Sequence, residues 1–227
     1  MMAYVLGYWY ADGSMYISAR GKYIVVTSID ELTILKIKNW LSSKHTIRVN
    51  KSTWPNGKLR FTLRIGNAKL YDSLIHLGLH PNKSLTVRMP KVPNKFLKDF
   101  VRGYFDGDGC VNLYRSKGIS QKVILRKLSV IFTSGSKKFL EDLLFELRGV
   151  LELRQTKIYN SHRSFQLRFA TEDSMTLFGF MYDNIYPDLL LQRKYRIFTN
   201  YFKLRPQRID KKVSSVLQCL SNGHVVK

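Results

Sequence analysis

The chain has 227 residues, with 38 Lys and Arg against 16 Asp and Glu and a formal net charge of +22 at pH 7. Because 44% of the residues are apolar and 13% are aromatic, the composition excludes a chain too polar to form a core. The two cysteines and five histidines show no CxxC or metal-ligand spacing, and no apolar run approaches the ~18 residues of a membrane span. The positive charge favours a polyanionic partner, most often nucleic acid, and we expect a cytoplasmic or organelle-matrix protein without a signal peptide.

The first elements are predicted as a helix followed by two strands. Residues 4–13, YVLGYWYADG, form an apolar and aromatic run that ends in Asp-Gly and predicts a helix. The alternation after this run predicts a half-buried strand, with one face made by Met15, Ile17 and Ala19. Gly21 and Lys22 are typical of a tight turn, and YIVVTS at 23–28 predicts the second strand.

A helix, two more strands and a closing helix follow. Ser28 begins a capping-box pattern and predicts a helix whose inward face is made by Leu32, Leu35 and Trp40. Alternating residues at 47–52 and 58–65 predict two strands, separated by a turn at 55–57. A helix from about Ala68 to Leu77 completes this order.

The same order recurs in the second half of the chain. FVRGYFDGDG at 100–109 repeats the apolar run with its Asp-Gly, and LSVIFTS matches YIVVTS. VNLY predicts a strand, KKFLEDLLFEL a helix, and LELRQTKIY and SFQLRFA two more strands before a last helix, while a longer loop around 116–122 replaces the short turn. The sequence therefore predicts an α+β fold made of two αββαββα repeats.

The segment between the repeats is predicted to be a linker. HPNKSLTVRMPKVPN, at 80–94, holds three of the six prolines. This places the two halves at 1–92 and 93–204. The tail at 205–227 has no counterpart in the first half.

The predicted strands place their polar side chains on one face of each sheet. Those faces carry far more Arg and Lys than Asp and Glu. A two-stranded ribbon fits the DNA major groove, where Arg reads guanine and Asn or Gln reads adenine. We therefore predict a DNA-binding surface whose candidate residues are Ser18, Arg20, Arg48, Asn50, Arg60, Arg64, Arg154, Gln166 and Arg168.

Small residues in the two repeated runs predict that the helices touch. Gly7 and Ala11 are four residues apart, as are Gly103 and Gly107, so each pair shares a helix face on which two backbones can approach closely. If these faces meet, the acids that end the two helices come together. A single Asp-Gly is more often a simple helix stop, but two copies in the same context favour a site.

Two neighbouring carboxylates repel each other unless a cation lies between them. Oxygen donors of this kind favour Mg²⁺, and helix C-termini add cation attraction through their dipoles. Free backbone carbonyls at Ala11 and Gly107 could join the ligands. Metal ions between carboxylates and a phosphate can activate water and stabilise the leaving oxygen of a phosphodiester.

The two runs resemble the paired LAGLIDADG motif of single-chain homing endonucleases, and the resemblance extends over about residues 3–203. It implies two αββαββα halves that form a saddle of antiparallel sheets around a central helix pair. It also implies an intron-encoded endonuclease that acts as a monomer on double-stranded DNA. Such an enzyme makes Mg²⁺-dependent double-strand breaks at a long site, with Mn²⁺ or Ca²⁺ as alternative occupants of the metal sites.

The resemblance also assigns roles to individual residues. The catalytic, metal-binding acids fall on Asp12 and Asp108, and the metal-ligating carbonyls fall on Ala11 and Gly107. Tyr10 departs from the motif at a position where Asp106 keeps an acid. The auxiliary catalytic residue is not identified by the motif, and its candidates are Ser28, Ser134, Lys83 and Lys194.

Two other functions fit the same fold. One is an RNA maturase that assists splicing of its host intron, with the intron RNA as its partner. The other is a DNA-binding regulator without catalysis, which is disfavoured because both motif acids are present. An intein is disfavoured as well, because no splicing domain surrounds the core.

Overall fold

The structure of the chain is a computed structural model that describes residues 1–51, 57–117, 123–185 and 190–221. Only the backbone is described for residues 115–117 and 123–126. Most of the predicted turn at 55–57 and of the predicted long loop at 116–122 lies outside the described residues.

The order of helices and strands confirms the predicted repeat. The first half consists of α1 (Met2–Asp12), β1 (Gly13–Ser18), β2 (Gly21–Ser28), α2 (Glu31–Trp40), β3 (Ile47–Lys51), β4 (Leu59–Gly66) and α3 (Ala68–His76). The second half consists of α4 (Asn94–Asp108), β5 (Gly109–Lys117), β6 (Val123–Ser134), α5 (Lys137–Val150), β7 (Ile158–Ser161), β8 (Ser164–Phe169) and α6 (Thr171–Tyr182). Helices α7 (Gln192–Leu204) and α8 (Lys211–Ser221) follow.

Each half forms one four-stranded antiparallel sheet. The strand orders are β1-β2-β4-β3 and β5-β6-β8-β7, which are the same order in the two repeats. One face of the first sheet is apolar and buried, as Ile24, Val26 and Leu63 show. The α+β class is therefore confirmed. None of the helices in the described parts of the chain is long and apolar enough to cross a membrane.

The chain divides into two compact units. One unit is Met1–Asp108 with Ser134–Phe139, and the other is Gly109–Thr133 with Leu140–Lys227. Both motif helices, α1 and α4, belong to the first unit. The division of the repeats at 92/93 and 204/205 stays a prediction.

The first strand and its turn differ from the prediction. Ser18 pairs with Gly21, so the turn is made by Ala19 and Arg20 rather than by Gly21 and Lys22. Gly21 instead begins β2, with a φ of +134° that only glycine adopts readily. Ile17 was expected on the buried face but is 64% exposed, because β1 is an edge strand whose end extends beyond the core.

The inward face of α2 is also corrected. Ser28 ends β2 instead of capping the helix, and its hydroxyl accepts the N–H of Asp30. The helix begins at Glu31, and its buried residues are Thr33, Ile34 and Ile37. Leu32 and Leu35 are exposed, and Trp40 is half-buried with its ring edge-on to Tyr4.

One region of the second half differs from the prediction. The strand expected over LELRQTKIY is limited to Ile158–Ser161, and residues 152–157 have no regular structure. The tail is helical, since Lys211–Ser221 forms α8, whose N-terminal N–H at Val213 is bound by the Asp210 carboxylate. Its apolar residues Val213 and Val216 are buried, which explains why a polar-looking tail folds.

The closest packing in the described residues joins α1 to α4 through glycine. A Cβ added to Gly7 would overlap the carbonyl oxygen of Phe100, and one added to Gly103 would overlap that of Tyr4. A Cβ on Gly107 would overlap the Ala11 side chain. The predicted contact of the two motif helices is therefore present.

Replacing Gly7 by Ala should destabilise the protein, because the added methyl group meets backbone atoms that cannot move alone. Overpacking of this kind costs about 1–3 kcal/mol of unfolding free energy, or more. Gly149→Ala in α5 is the matched control, since nothing lies within 4 Å of its added Cβ. Urea unfolding should show a loss for Gly7→Ala and none for Gly149→Ala; equal stability of the two variants would contradict the backbone contact.

Candidate active site at the ends of the motif helices

The two predicted acids occupy equivalent positions. Asp12 is the last residue of α1 and Asp108 is the last residue of α4, and each is followed directly by a strand. Gly13 begins β1 with an extended backbone, φ −82°. A Cβ on Gly13 would meet the backbone of Trp9, so glycine is needed there for space rather than for an unusual φ.

The structure brings the two acids together. The Asp12 Oδ2 atom lies 3.3 Å from the Cβ position of Gly107, the residue before Asp108. The charges of both acids also act on Lys83 and Tyr104. Asp12 and Asp108 therefore form one acidic site at one end of the helix pair.

Lys83 lies buried beside the acids. It begins a short 3-10 helix, is only 7% exposed, and donates from Nζ to the carbonyls of Tyr10 at 2.8 Å and Ala11 at 3.0 Å. Burial lowers the pKa of Lys83, while the charges of Asp108 and Asp12 act in the opposite direction. The side chain therefore places a cation where α1 ends and where negative charge gathers.

Lys194 makes a similar hydrogen bond to a backbone carbonyl directly after Asp108. It lies on α7, is 3% exposed, and donates from Nζ to the carbonyl of Gly109 at 2.6 Å. Both lysines come from the segment that follows the closing helix of their repeat. Sequence reasoning named them as candidates without predicting these contacts, because a contact across 72 or more residues leaves no local pattern.

The two candidate serines bind tyrosines of the motif helices. The Tyr8 hydroxyl donates to Ser28 Oγ at 3.0 Å, and Tyr104 is hydrogen-bonded to Ser134. Each serine also accepts the N–H of the residue two positions later. Burial raises the pKa of Tyr8, and the charge of Asp12 raises it further. Burial does the same to the pKa of Tyr104, followed by the charges of Asp108 and Asp12.

Tyr8 and Tyr104 were missed by the sequence analysis. Each stands four residues before the acid of its motif, so the repeat itself carried the signal. Both stay protonated at neutral pH, and each hydroxyl is hydrogen-bonded to a serine. Their hydroxyls join each motif helix to the end of a strand.

The position where the two motifs differ has two structural roles. The Tyr10 hydroxyl donates to the carbonyl of Leu77, which ties α1 to the end of α3. The Asp106 carboxylate is 1% exposed and accepts from Tyr4 across the helix pair at 2.8 Å. Each side chain therefore stabilises the packing of its own helix.

The polar face of the first sheet carries most of the predicted DNA-binding residues. Directly paired residues of an antiparallel sheet share a face. Thr62 pairs with Thr27 and Arg48, and Arg60 pairs with Asn50. By this register one face carries Ser18, Arg48, Asn50, Arg60 and Arg64. Arg20 lies in the turn between β1 and β2.

The second sheet carries Gln166 and Arg168 on one face of β8, while Leu167 on the other face is buried. Arg168 donates from Nε and Nη2 to Gln166 Oε1 at 2.9 and 2.6 Å. Arg154 is not on a strand, since it lies in the irregular segment before β7, where its N–H donates to Asp173. Its place on the polar face is therefore a wrong prediction.

The donors at the acidic site fit a divalent metal ion with oxygen ligands. Two carboxylates converge there, and the Ala11 carbonyl already holds one cation, the Lys83 ammonium. Within the described residues no group of three or more His, Cys, Asp or Glu forms a complete metal site. Mg²⁺ is commonly bound by one or two carboxylates and completed by water and phosphate oxygens.

Replacing Lys83 by Met should destabilise the protein, because the carbonyls of Tyr10 and Ala11 lose a charged donor and two carboxylates lose a neighbouring cation. Loss of hydrogen bonds to a charged group costs about 1.5–3 kcal/mol. Lys44→Met, at an exposed loop position, is the control. Thermal unfolding should separate the two variants, and identical melting temperatures would show that Lys83 does not support the site.

Comparisons with known proteins agree with the fold. Residues 95–175 match the family model of the LAGLIDADG-like domain. In sequence the chain is 25% identical over 189 residues to the replication factor C small subunit of Methanocaldococcus jannaschii and 30% identical over 166 residues to the probable translation initiation factor IF-2 of Thermococcus kodakarensis. These matches cover 79% and 70% of this chain, which spans only 9% and 12% of the length of those relatives.

Three solved structures share the fold at low sequence identity. The homing endonuclease I-WcaI bound to its DNA recognition sequence has a TM-score of 0.60 at 15% identity, over 86% of this chain and 84% of that one. I-SmaMI bound to uncleaved DNA with calcium ions has 0.59 at 13%, over 97% and 96%. The N-terminal LAGLIDADG domain of DUF199/WhiA has 0.53 at 13%, over 79% of each chain. These findings confirm the family resemblance: the chain carries a LAGLIDADG-like domain at residues 95–175 and has the fold of the LAGLIDADG homing endonucleases.

Proposed function

We propose that the chain is a site-specific DNA endonuclease that cuts both strands with the help of Mg²⁺. The observation that carries this proposal is the convergence of Asp12 and Asp108 at one end of a helix pair that packs through glycine. The net charge of +22 and the arginine-rich sheet face supply the attraction for a polyanion. Similar structures of homing endonucleases on DNA support the same function.

The residues that would hold the metal are Asp12 and Asp108, together with the carbonyls of Ala11 and Gly107. When bound, Mg²⁺ supplies positive charge to the scissile phosphate and lowers the pKa of a bound water. Mn²⁺ or Ca²⁺ can take the same oxygen ligands. Asp12 is exposed at the end of its helix, so a DNA phosphate can approach its carboxylate.

Lys83 positions the acids rather than touching DNA. Its ammonium fixes the last carbonyls of α1, and so the direction from which Asp12 leaves the helix. Its charge also offsets the repulsion between Asp12 and Asp108 before a metal arrives. We propose the corresponding role for Lys194 at Gly109.

The sheet faces supply sequence-specific binding. Arg and Asn side chains on β3 and β4 share one face of the first sheet, and Gln166 and Arg168 share one face of β8. Side chains of these types read base edges in the major groove. Lysines and arginines elsewhere would contact phosphates, so affinity should fall steeply with salt.

A DNA-binding protein without cleavage is a weaker alternative. The fold also occurs in the N-terminal LAGLIDADG domain of DUF199/WhiA. The present chain keeps both motif acids and the lysine and tyrosines around them. Two converging carboxylates repel each other and a DNA phosphate, so a protein that only binds DNA would gain nothing from keeping both acids.

Asp12→Asn and Asp108→Asn should each abolish double-strand cleavage of a site selected from a DNA library, while binding survives. The amide keeps the shape of the carboxylate but loses the charge that holds the metal. Asp210→Asn is the control, because asparagine caps a helix N-terminus as well as aspartate does. Full Mg²⁺-dependent cleavage by either motif variant would show that the replaced acid is not required for catalysis.

We also expect the cut to be staggered, with short 3′ overhangs. Two active acids held close together reach the nearest phosphates across the minor groove, which are offset toward the 3′ sides of the two strands. Because the repeats differ in sequence, one chain should recognise an asymmetric site. Sequencing of the product ends and the mass of the complex on DNA test this; blunt or 5′ ends, or a required dimer, would contradict it.

A further inference from the structure

Two tyrosine rings hold the guanidinium of Arg64. Its Cζ lies 4.0 Å from the ring centre of Tyr23 and 5.6 Å from that of Tyr16. Tyr16 pairs with Tyr23 across β1 and β2, and their rings stack with centres 5.3 Å apart. Stacking occupies the flat face of the guanidinium, and its N–H groups lie in the plane of that group.

Hydrogen bonds do not set the position of this guanidinium. The Arg64 Nε atom is buried and has no hydrogen-bond partner among the described residues. A buried donor without an acceptor is unfavourable, so the contacts with the rings of Tyr16 and Tyr23 are the interactions that favour this placement. Beside Arg64 lies a cavity of about 480 Å³ that is lined by Tyr23, His45, Thr46, Arg48, Arg64 and Gly66.

The second sheet has different residues at the matched register. Asn112 pairs with Ser129 across β5 and β6, at the register where Tyr16 pairs with Tyr23 in the first sheet. Asn112 follows Asp108 by four residues, as Tyr16 follows Asp12. In the sheet of the matched arginine, Arg168, the tyrosine pair is therefore replaced by Asn112 and Ser129.

Arg168 is held by a hydrogen-bonded neighbour instead. Its Nε and Nη2 both donate to Gln166 Oε1, and its Cζ lies 5.1 Å from the ring centre of Tyr159. With its oxygen occupied, Gln166 can present only its NH₂ donors. Gln166 therefore cannot use its oxygen as an acceptor and its NH₂ group as a donor at the same time, which is how glutamine recognises adenine.

We propose that Tyr16 and Tyr23 are positioning residues for base recognition, which fix Arg64 so that it reads a single guanine. At the matched place in the other sheet, Arg168 reads its base only together with Gln166. The two sheets therefore recognise different features at positions that the repeat makes equivalent. This inference rests on the proposed DNA-binding function.

The test measures binding in EDTA, so that the duplex stays intact. The wild type and its variants are titrated against the selected site and against duplexes in which each base pair is replaced in turn. Arg64→Ala should reduce the preference for guanine at one base pair by about tenfold. Tyr16→Asn and Tyr23→Ser introduce the residues that the second sheet has at these positions. Both should reduce the preference for guanine at the same base pair and leave the salt dependence of binding unchanged.

Two conservative variants and one control separate positioning from loss of fold. Tyr16→Phe and Tyr23→Phe keep the rings and should keep the preference for guanine. Tyr114→Asn removes a ring that lies 4.9 Å from Lys127 in the second sheet and should leave that base pair unchanged.

The second arm replaces Gln166 by Thr, the residue that the first sheet has at the matched position. This variant should alter the base preference that depends on Arg168. The same preference in wild type and Gln166→Thr would overturn this part of the inference.

The possible failures are distinguishable. If Arg64→Ala reduces the base preference at one base pair and the Tyr16→Asn and Tyr23→Ser variants keep that preference, the tyrosines do not position Arg64. If Arg64→Ala changes every duplex equally, Arg64 binds phosphate and the inference is wrong while the endonuclease proposal stands. If the wild type shows no sequence preference at all, the proposed function itself is refuted.

Discussion

The contact between α1 and α4 is the constraint on which the rest of the site depends. Two helix backbones meet there at Gly7 and Gly103, where any side chain would strike a carbonyl of the partner helix. This distance of approach sets how near Asp12 and Asp108 can be. Aromatic rings pack around the contact, with Tyr10 edge-on to Phe100 and Tyr104 against Phe139.

Such closeness has an electrostatic cost that the chain offsets with its own groups. Lys83 is a buried cation beside the last residues of α1. The hydroxyl groups of Tyr8 and Tyr104 lie in the same region. The charge of this buried lysine offsets the repulsion between the two carboxylates. The fold thus places a negatively charged site within a strongly basic protein. The acids attract a divalent cation, and the surrounding positive charge attracts phosphate.

The sequence predicted the repeat well because glycine, small residues and aspartate recur at fixed spacing in both halves. It failed where a local pattern had two possible readings. The capping box at Ser28 suggested a helix start, yet the strand continues to that residue and shifts the inward face of α2 to Ile34 and Ile37. The roles of Lys83 and of the Tyr16–Tyr23 pair depend on contacts between distant segments, which no single stretch of sequence encodes.

Anomalous diffraction from Mn²⁺, in crystals of the chain with its target duplex, tests the central claim most directly. The account predicts metal ions within coordination distance of the carboxylates of both Asp12 and Asp108 and of a phosphate oxygen in each strand. Metal bound only to other residues, or an Asp12 and Asp108 too far apart to share one site, would contradict it.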